Sequence, residues 1–186
     1  MTVTTTNLIQ GPANLWIGAF GAAEPLASGT PIALAAPASP TPWADAGATD
    51  GGIDLSVNVS FGVLKADQVV YEAERRRTGI VVEVKTVLAE ATLINLAFAL
   101  NNTAPSTGYF IPDDGIAAFN PVYQSVLFDG IAPGGFRRRF IGRKVLQTAN
   151  MAMAYKKDGQ TLIPCTFTLH WVSSTIRPYI ITDAGV

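Results

Sequence analysis

The run from Gly79 to Asn101, GIVVEVKTVLAEATLINLAFALN, constrains the fold more than any other stretch. Its first half, Ile80 to Leu88, is dense in β-branched residues and reads as a strand. Ile80, Val82, Val84, Thr86 and Leu88 fall on one face, with Val81, Glu83, Lys85 and Val87 on the other. From Ala89 the apolar period becomes that of a helix: Leu93, Leu96, Ala97 and Leu100 lie at i, i+3, i+4 and i+7, flanked by Ile94 and Phe98. No Gly or Pro interrupts Ile80 to Asn101, so the strand is predicted to pass almost directly into a helix over about residues 89–101. Such a helix is marginal alone in water. It holds only by burying the face formed by Leu93, Leu96, Ala97 and Leu100, at about 1.5–3 kcal/mol for each large side chain fully covered. One helix docked on a sheet is the expected centre of the fold.

The rest of the chain supplies the sheet. Ile53, Leu55, Val57, Val59 and Phe61 alternate with Asp54, Ser56, Asn58 and Ser60, a strand whose polar face has only short side chains. Asp67 to Arg76 reads as the next strand, and RRRTG (Arg75 to Gly79) as the turn into the central one. Further strands are expected at Ala13–Gly18, Val122–Asp129, Arg137–Thr148, Leu162–Val172 and Tyr179–Thr182. Asp158–Gly159 signals a hairpin pairing Met151–Lys157 with the Leu162–Val172 strand. The expected fold is mostly β, a sandwich or barrel with one flanking helix. At 186 residues it is read as a single domain, with residues 1–12 an N-terminal arm, 19–52 a long inter-ring or inter-subunit loop rich in Ala, Gly and Pro, and 173–186 a C-terminal segment.

Composition narrows the function more by exclusion than by indication. Thirteen basic against fourteen acidic residues leave a net charge of -1, so no overall polarity recruits nucleic acid or a membrane. A single cysteine, Cys165, rules out an intrachain disulfide. The start MTVTTTNLIQ lacks the pattern of a secretory signal, and no apolar run is long enough to span a bilayer as a helix. The expectation is a soluble chain made in the cytoplasm.

Catalytic chemistry finds little to stand on, and no enzyme is expected. His170 is the sole histidine, on the polar face of a strand with no nucleophile or orienting group at a supporting spacing. Cys165 falls on the apolar face of that strand and reads as a buried structural thiol. Asp45, Asp50 and Asp54 cluster among glycines but depart from the calcium-loop spacing, and no phosphate-cradling motif is present, so no metal or cofactor is expected. The runs Arg75–Arg77 and Arg137–Arg139 lack interleaved aromatics for nucleic-acid stacking. Arg75, Arg76, Arg137, Arg138 and Arg139 are read instead as strand-end partners in ion pairs within or between subunits, with pairing between subunits as the working hypothesis.

The sequence WADAGATDGGIDLSVNVSFGVLKAD, in which Trp43, Gly47, Thr49, Asp50 and Gly51–Gly52 lead into an alternating strand, is followed by ERRRTG and VEVKTVLAEATLINLAFALN. In this order the chain resembles the major tail tube proteins of long-tailed, non-contractile bacteriophages, particularly those of actinobacteria. The resemblance runs from about Asn14 to Trp171 and is looser around TFTLHW. It implies a structural virion protein that assembles in the host cytoplasm into hexameric rings. The rings stack into a tube around a tape-measure protein, with terminator and distal tail proteins at its ends, and the DNA genome is ejected through it. On that footing Asp54, Ser56, Asn58, Ser60, Glu72 and Glu74 are expected to face the lumen: short polar and acidic groups past which a polyanion slides, where cations would hold it by counterion release. Two other readings fit the same residues. One is the tube subunit of a contractile tail or type VI secretion-like system; the other is a monomeric β-sandwich binding or decoration module.

Overall fold

The computed structural model describes residues 8–25, 42–65, 67, 70–103, 105, 108–114 and 119–183. Its elements are β1 (Asn14–Ala19), β2 (Ala44–Asp45), β3 (Thr49–Leu64), β4 (Glu74–Leu88), α1 (Leu93–Ala99), β5 (Gln124–Ile131), β6 (Arg137–Gln147), β7 (Ile163–Leu169) and β8 (Tyr179–Asp183). The chain is mostly β with one α-helix among the described residues. All strand pairs are antiparallel, in the order β2-β1-β5-β6-β7-β4-β3. One edge of β6 takes β5; its other edge is shared by β8, against Arg138–Gly142, and β7, against Val145–Gln147.

The two ends of that order, β2 and β3, are separated in sequence only by Ala46, Gly47 and Ala48. So short a link spans at most about 14 Å. The sheet therefore curls until its ends nearly meet, which makes it barrel-like. Hydrogen bonds fix each end of the link at this seam: Ala46 N donates to Leu15 O at 3.0 Å, continuing the β1–β2 ladder, and Ala89 N to Ala48 O at 2.8 Å, continuing the β3–β4 ladder. Gly47 sits here at φ +76°, and a Cβ on it would meet the Glu90 carboxylate carbon at 2.2 Å. The left-handed φ favours glycine at this corner.

Inside the barrel one apolar core joins Leu15 and Ile17 of β1, Val84 and Leu88 of β4, Val126, Phe140, Val145 and the β7 face Ile163, Cys165, Phe167 and Leu169. α1 closes it, with the Phe98 ring centred 4.6 Å from that of Phe167. Around β1, β5 and β6 the outer face is covered too, where Trp16, Leu127 and Ile141 pack under Trp43.

Several elements differ from expectation. Of the strand expected over Asp67–Arg76, residues 68 and 69 lie outside the described ones and the strand begins only at Glu74; RRRTG is not a turn, since Arg75, Arg76 and Arg77 lie within β4, paired to Val63, Gly62 and Phe61. β3 runs to Leu64, and its partner must run as far back to satisfy the same ladder. The predicted loop over residues 19–52 contains the end of β1, all of β2 and the start of β3; residues 26–41 of it lie outside the described ones. Met151–Lys157 forms no strand, and the Asp158–Gly159 turn closes only one bridge, Lys156 to Gly159. β7 stops at Leu169, leaving Trp171 70% exposed.

The helix is shorter and turned differently from the expected one. It spans Leu93–Ala99 rather than about 89–101, because Thr92 caps it through Asn95 N and Asn101 takes a left-handed φ of 53°. Ala97 is buried as expected, with Asn95, Phe98 and Ala99. Leu96 is half-buried, while Leu93 and Leu100 are exposed. The anchor that rotates the helix is polar: Asn95 Nδ2 donates to Ala46 O at 2.9 Å and Glu90 O at 2.8 Å, pulling that side toward the seam.

Candidate assembly surface: the β3–β4 hairpin

β3 and β4 are long for strands in a globular domain, and much of their length lies beyond the sheet. β7 pairs with β4 only from Glu83 to Leu88. Among the described residues, Glu74–Val82 of β4 has β3 alone as a neighbour, and the outer edge of β3 has none. The hairpin thus presents two open rows of backbone donors and acceptors. Such edges are templates for further strand pairing.

Its two faces are chemically distinct. On one, Ile53, Leu55, Val57, Val59, Phe61 and Val63 stand opposite Thr86, Val84, Val82, Ile80, Arg77 and Arg75. The register steps by one residue between Ser60 and Phe61, and this bulge brings Arg77 and Arg75 onto the apolar side. Ile53 and Leu55 pack against the barrel core. Farther out the stripe is uncovered: Val57 is 45% exposed, Phe61 55% and Ile80 51%.

The other face gathers Asp54, Ser56, Asn58 and Ser60 opposite Lys85, Glu83, Val81 and Gly79, as the alternation predicts. β7 extends it with Thr166 beside Lys85 and Thr168 beside Glu83. Glu74, paired to Leu64 beyond the bulge, joins this face, whereas Glu72 lies in the connection before β4. The face is also less acidic than the sequence implies. Glu83 contacts Lys85 at 3.1 Å and Glu74 contacts Arg76 at 3.4 Å. Glu72 accepts from Arg75 Nε at 2.7 Å, and that hydrogen bond holds its carboxyl below the ordinary range.

The arginines expected to bridge subunits all have carboxylate partners within the chain. Besides Arg75 and Arg76, Arg138 forms a fork on Asp183 at 2.8 and 2.7 Å, fixing β8 to β6. Arg139 forms a second fork on Asp129, both bonds 2.6 Å, with both side chains buried. Its Nη1 donates to Pro25 O at 2.6 Å. Arg137 stands 3.3 Å from Asp129. The pairing within the chain has a simple cause at Arg139: β5 places Asp129 directly opposite it, a cross-strand pairing that spacing along the chain does not reveal. Arg143, paired with Glu24 through Nη2 at 2.8 Å, was missed because its partner lies in the connection after β1, 119 positions away.

The remaining candidates fall into structural places. Cys165 is buried, and desolvation pushes its thiol up to about 12. His170 sets its ring edge-on to Tyr123 at 5.7 Å; burial, then the Lys144 charge, lowers its pKa. Asp45 Oδ1 accepts from Gly47 N at 2.9 Å within the seam turn. Asp50 and Asp54 line a shallow cleft beside Gly51 and Gly52. Among the described residues no three His, Cys, Asp or Glu side chains converge on one point, and no helix is long and apolar enough to cross a membrane. The exposed half of the apolar stripe escaped the sequence reading because alternation marks an apolar face without saying what covers it. No protein-family model matches this sequence, and no curated protein matches it.

Proposed function

We propose that this chain is an architectural subunit whose copies join edge to edge into hexameric rings, stacked into a phage tail tube that conducts DNA. The observation carrying this reading is the β3–β4 hairpin, which among the described residues has an unpaired outer edge along β3 and a second along Glu74–Val82 of β4. One open edge can pair with the other on a neighbouring copy. Such a contact is head-to-tail, and head-to-tail contacts related by rotation close into rings.

The face bearing Asp54, Ser56, Asn58 and Ser60 is assigned to the lumen. Glu83 pairs there with Lys85 and Glu74 with Arg76, which leaves the Asp54 carboxylate as the surplus charge of the face among the described residues. A wall without a surplus of cations offers DNA no counterion-release binding. A tape-measure protein in the bore and terminator and distal tail proteins at the tube ends are the partners this reading requires, and the virion is its location. Electron microscopy of the purified chain at rising concentration tests it. Hollow cylinders with sixfold end views are expected, with Asp54 directed to the axis. Monomers persisting at millimolar concentration sink the proposal in favour of a binding module.

A further inference from the structure

Edge pairing leaves the apolar face of the hairpin uncovered, and the opposite end of the molecule bears a groove of the same character. The groove lies between β1 and α1, has a volume of about 260 Å³, and is lined by Ile17, Pro42, Ile94, Ala97, Phe98 and Val122. α1 has one polar residue, Asn95, and that residue is turned inward. A helix apolar on every side is normally covered on every side. Yet Ile94 is 55% exposed and Leu93 39%.

The two surfaces cannot meet within one copy. The hairpin tip precedes Glu74 and α1 follows Leu88, so the whole of β4 separates them, roughly 45–50 Å at strand rise. A second copy displaced along the β4 direction brings them together. The exposed part of the hairpin stripe is also continuous with Ile53 and Leu55, which pack on the barrel core. The charges agree as well. Arg77, opposite Phe61 on the apolar face, has no carboxylate partner among the described residues. Asp113 accepts from Asn102 Nδ2 at 3.1 Å and Thr103 N at 3.2 Å, and Asn102 lines the groove. No cation meets Asp113 among the described residues.

We propose that the outer part of the hairpin's apolar stripe, Phe61 and Val63 of β3, seats in the β1–α1 groove of the next copy along β4, with Arg77 pairing to Asp113. Within the tube reading, on which it rests, this is the contact between successive rings. Edge pairing works around a ring and the groove works along the axis.

Two variants prepared separately, Val63→Cys and Ile94→Cys, test the contact by mixing under mild oxidation. The native Cys165 is buried with a raised pKa and stays out of the exchange. A disulfide-linked dimer is expected in the mixture and in neither variant alone. A charge swap gives an independent readout: Arg77→Glu is expected to raise the concentration needed for assembly about tenfold, and adding Asp113→Lys to restore it. Tubes without the cross-link, from an Arg77→Glu chain that assembles like its parent, overturn the contact and leave the tube standing. A cross-link between copies that never form tubes keeps the contact and removes the tube. Neither cross-link nor tube removes both.

Discussion

Two regions of this sheet treat similar residues in opposite ways. Around β5 and β6 the strands are covered on both faces: Phe140 stacks on Phe128 at 4.7 Å inside, while Trp16 and Leu127 pack under Trp43 outside. The charged residues Asp129 and Arg139 are held there in a buried fork. Along the outer hairpin the same alternation of apolar and charged residues stands in the open. Val57, Phe61 and Ile80 are about half exposed, and the charges pair loosely at the surface. The difference separates two kinds of surface: the β5–β6 side is covered by its own chain, whereas the apolar face of the outer hairpin is left uncovered by the described residues.

The sharpest way to break this comparison is one substitution in both regions. Phe167→Ala, in the closed core, is expected to lower unfolding free energy by about 3–5 kcal/mol in denaturant titrations. Phe61→Ala should change monomer stability by no more than about 0.5 kcal/mol while impairing assembly. Equal losses at the two positions would falsify the division. A second pair concerns charge. Asp129→Asn strands the buried Arg139 and is expected to cost about 3 kcal/mol; Glu74→Gln, on the surface, should leave the melting curve unchanged.

Gly47→Ala is expected to cost about 1–2 kcal/mol, since a side chain at φ +76° also collides with Glu90. The effect should fall on the seam between β2 and β3, visible as faster amide exchange at Ala48 and Ala89. The smallest effect is one of pH. Burial and Lys144 lower the pKa of His170, so its neutral form is favoured in the fold. Its contribution is complete above the unfolded value near 6.5 and is lost as pH falls toward the folded value. The Asp183 carboxyl, held low chiefly by its hydrogen bond from Arg138, acts with the same sign at more acidic pH. Melting temperature should therefore drop slightly below pH 6.5, and His170→Asn should remove that first step only.

Much of the architecture was legible because it rests on local rules. Alternation at Ile53–Phe61, Ile80–Leu88 and Ile163–Leu169 is a property of the pleat, and it placed strands and faces before any contact was known. The short polar face Asp54, Ser56, Asn58 and Ser60 followed from the same rule. The existence of a helix after Leu88 followed from the change of period. The helix face was misread because Asn95 bonds to Ala46, a residue 49 positions away.

By itself, then, the sequence determined most of the long strands, the presence of a helix after Leu88 and the two chemistries of the hairpin, all consequences of side-chain direction along a backbone of known period. Tertiary structure alone decided the rest. The closure of the sheet at Ala46–Ala48, the partners of Arg138 and Arg139, the exposure of α1 and the open outer half of β4 depend on which distant segments meet. Pairing across a sheet is set by loop closure and shared burial, and neither leaves a periodic trace in the chain.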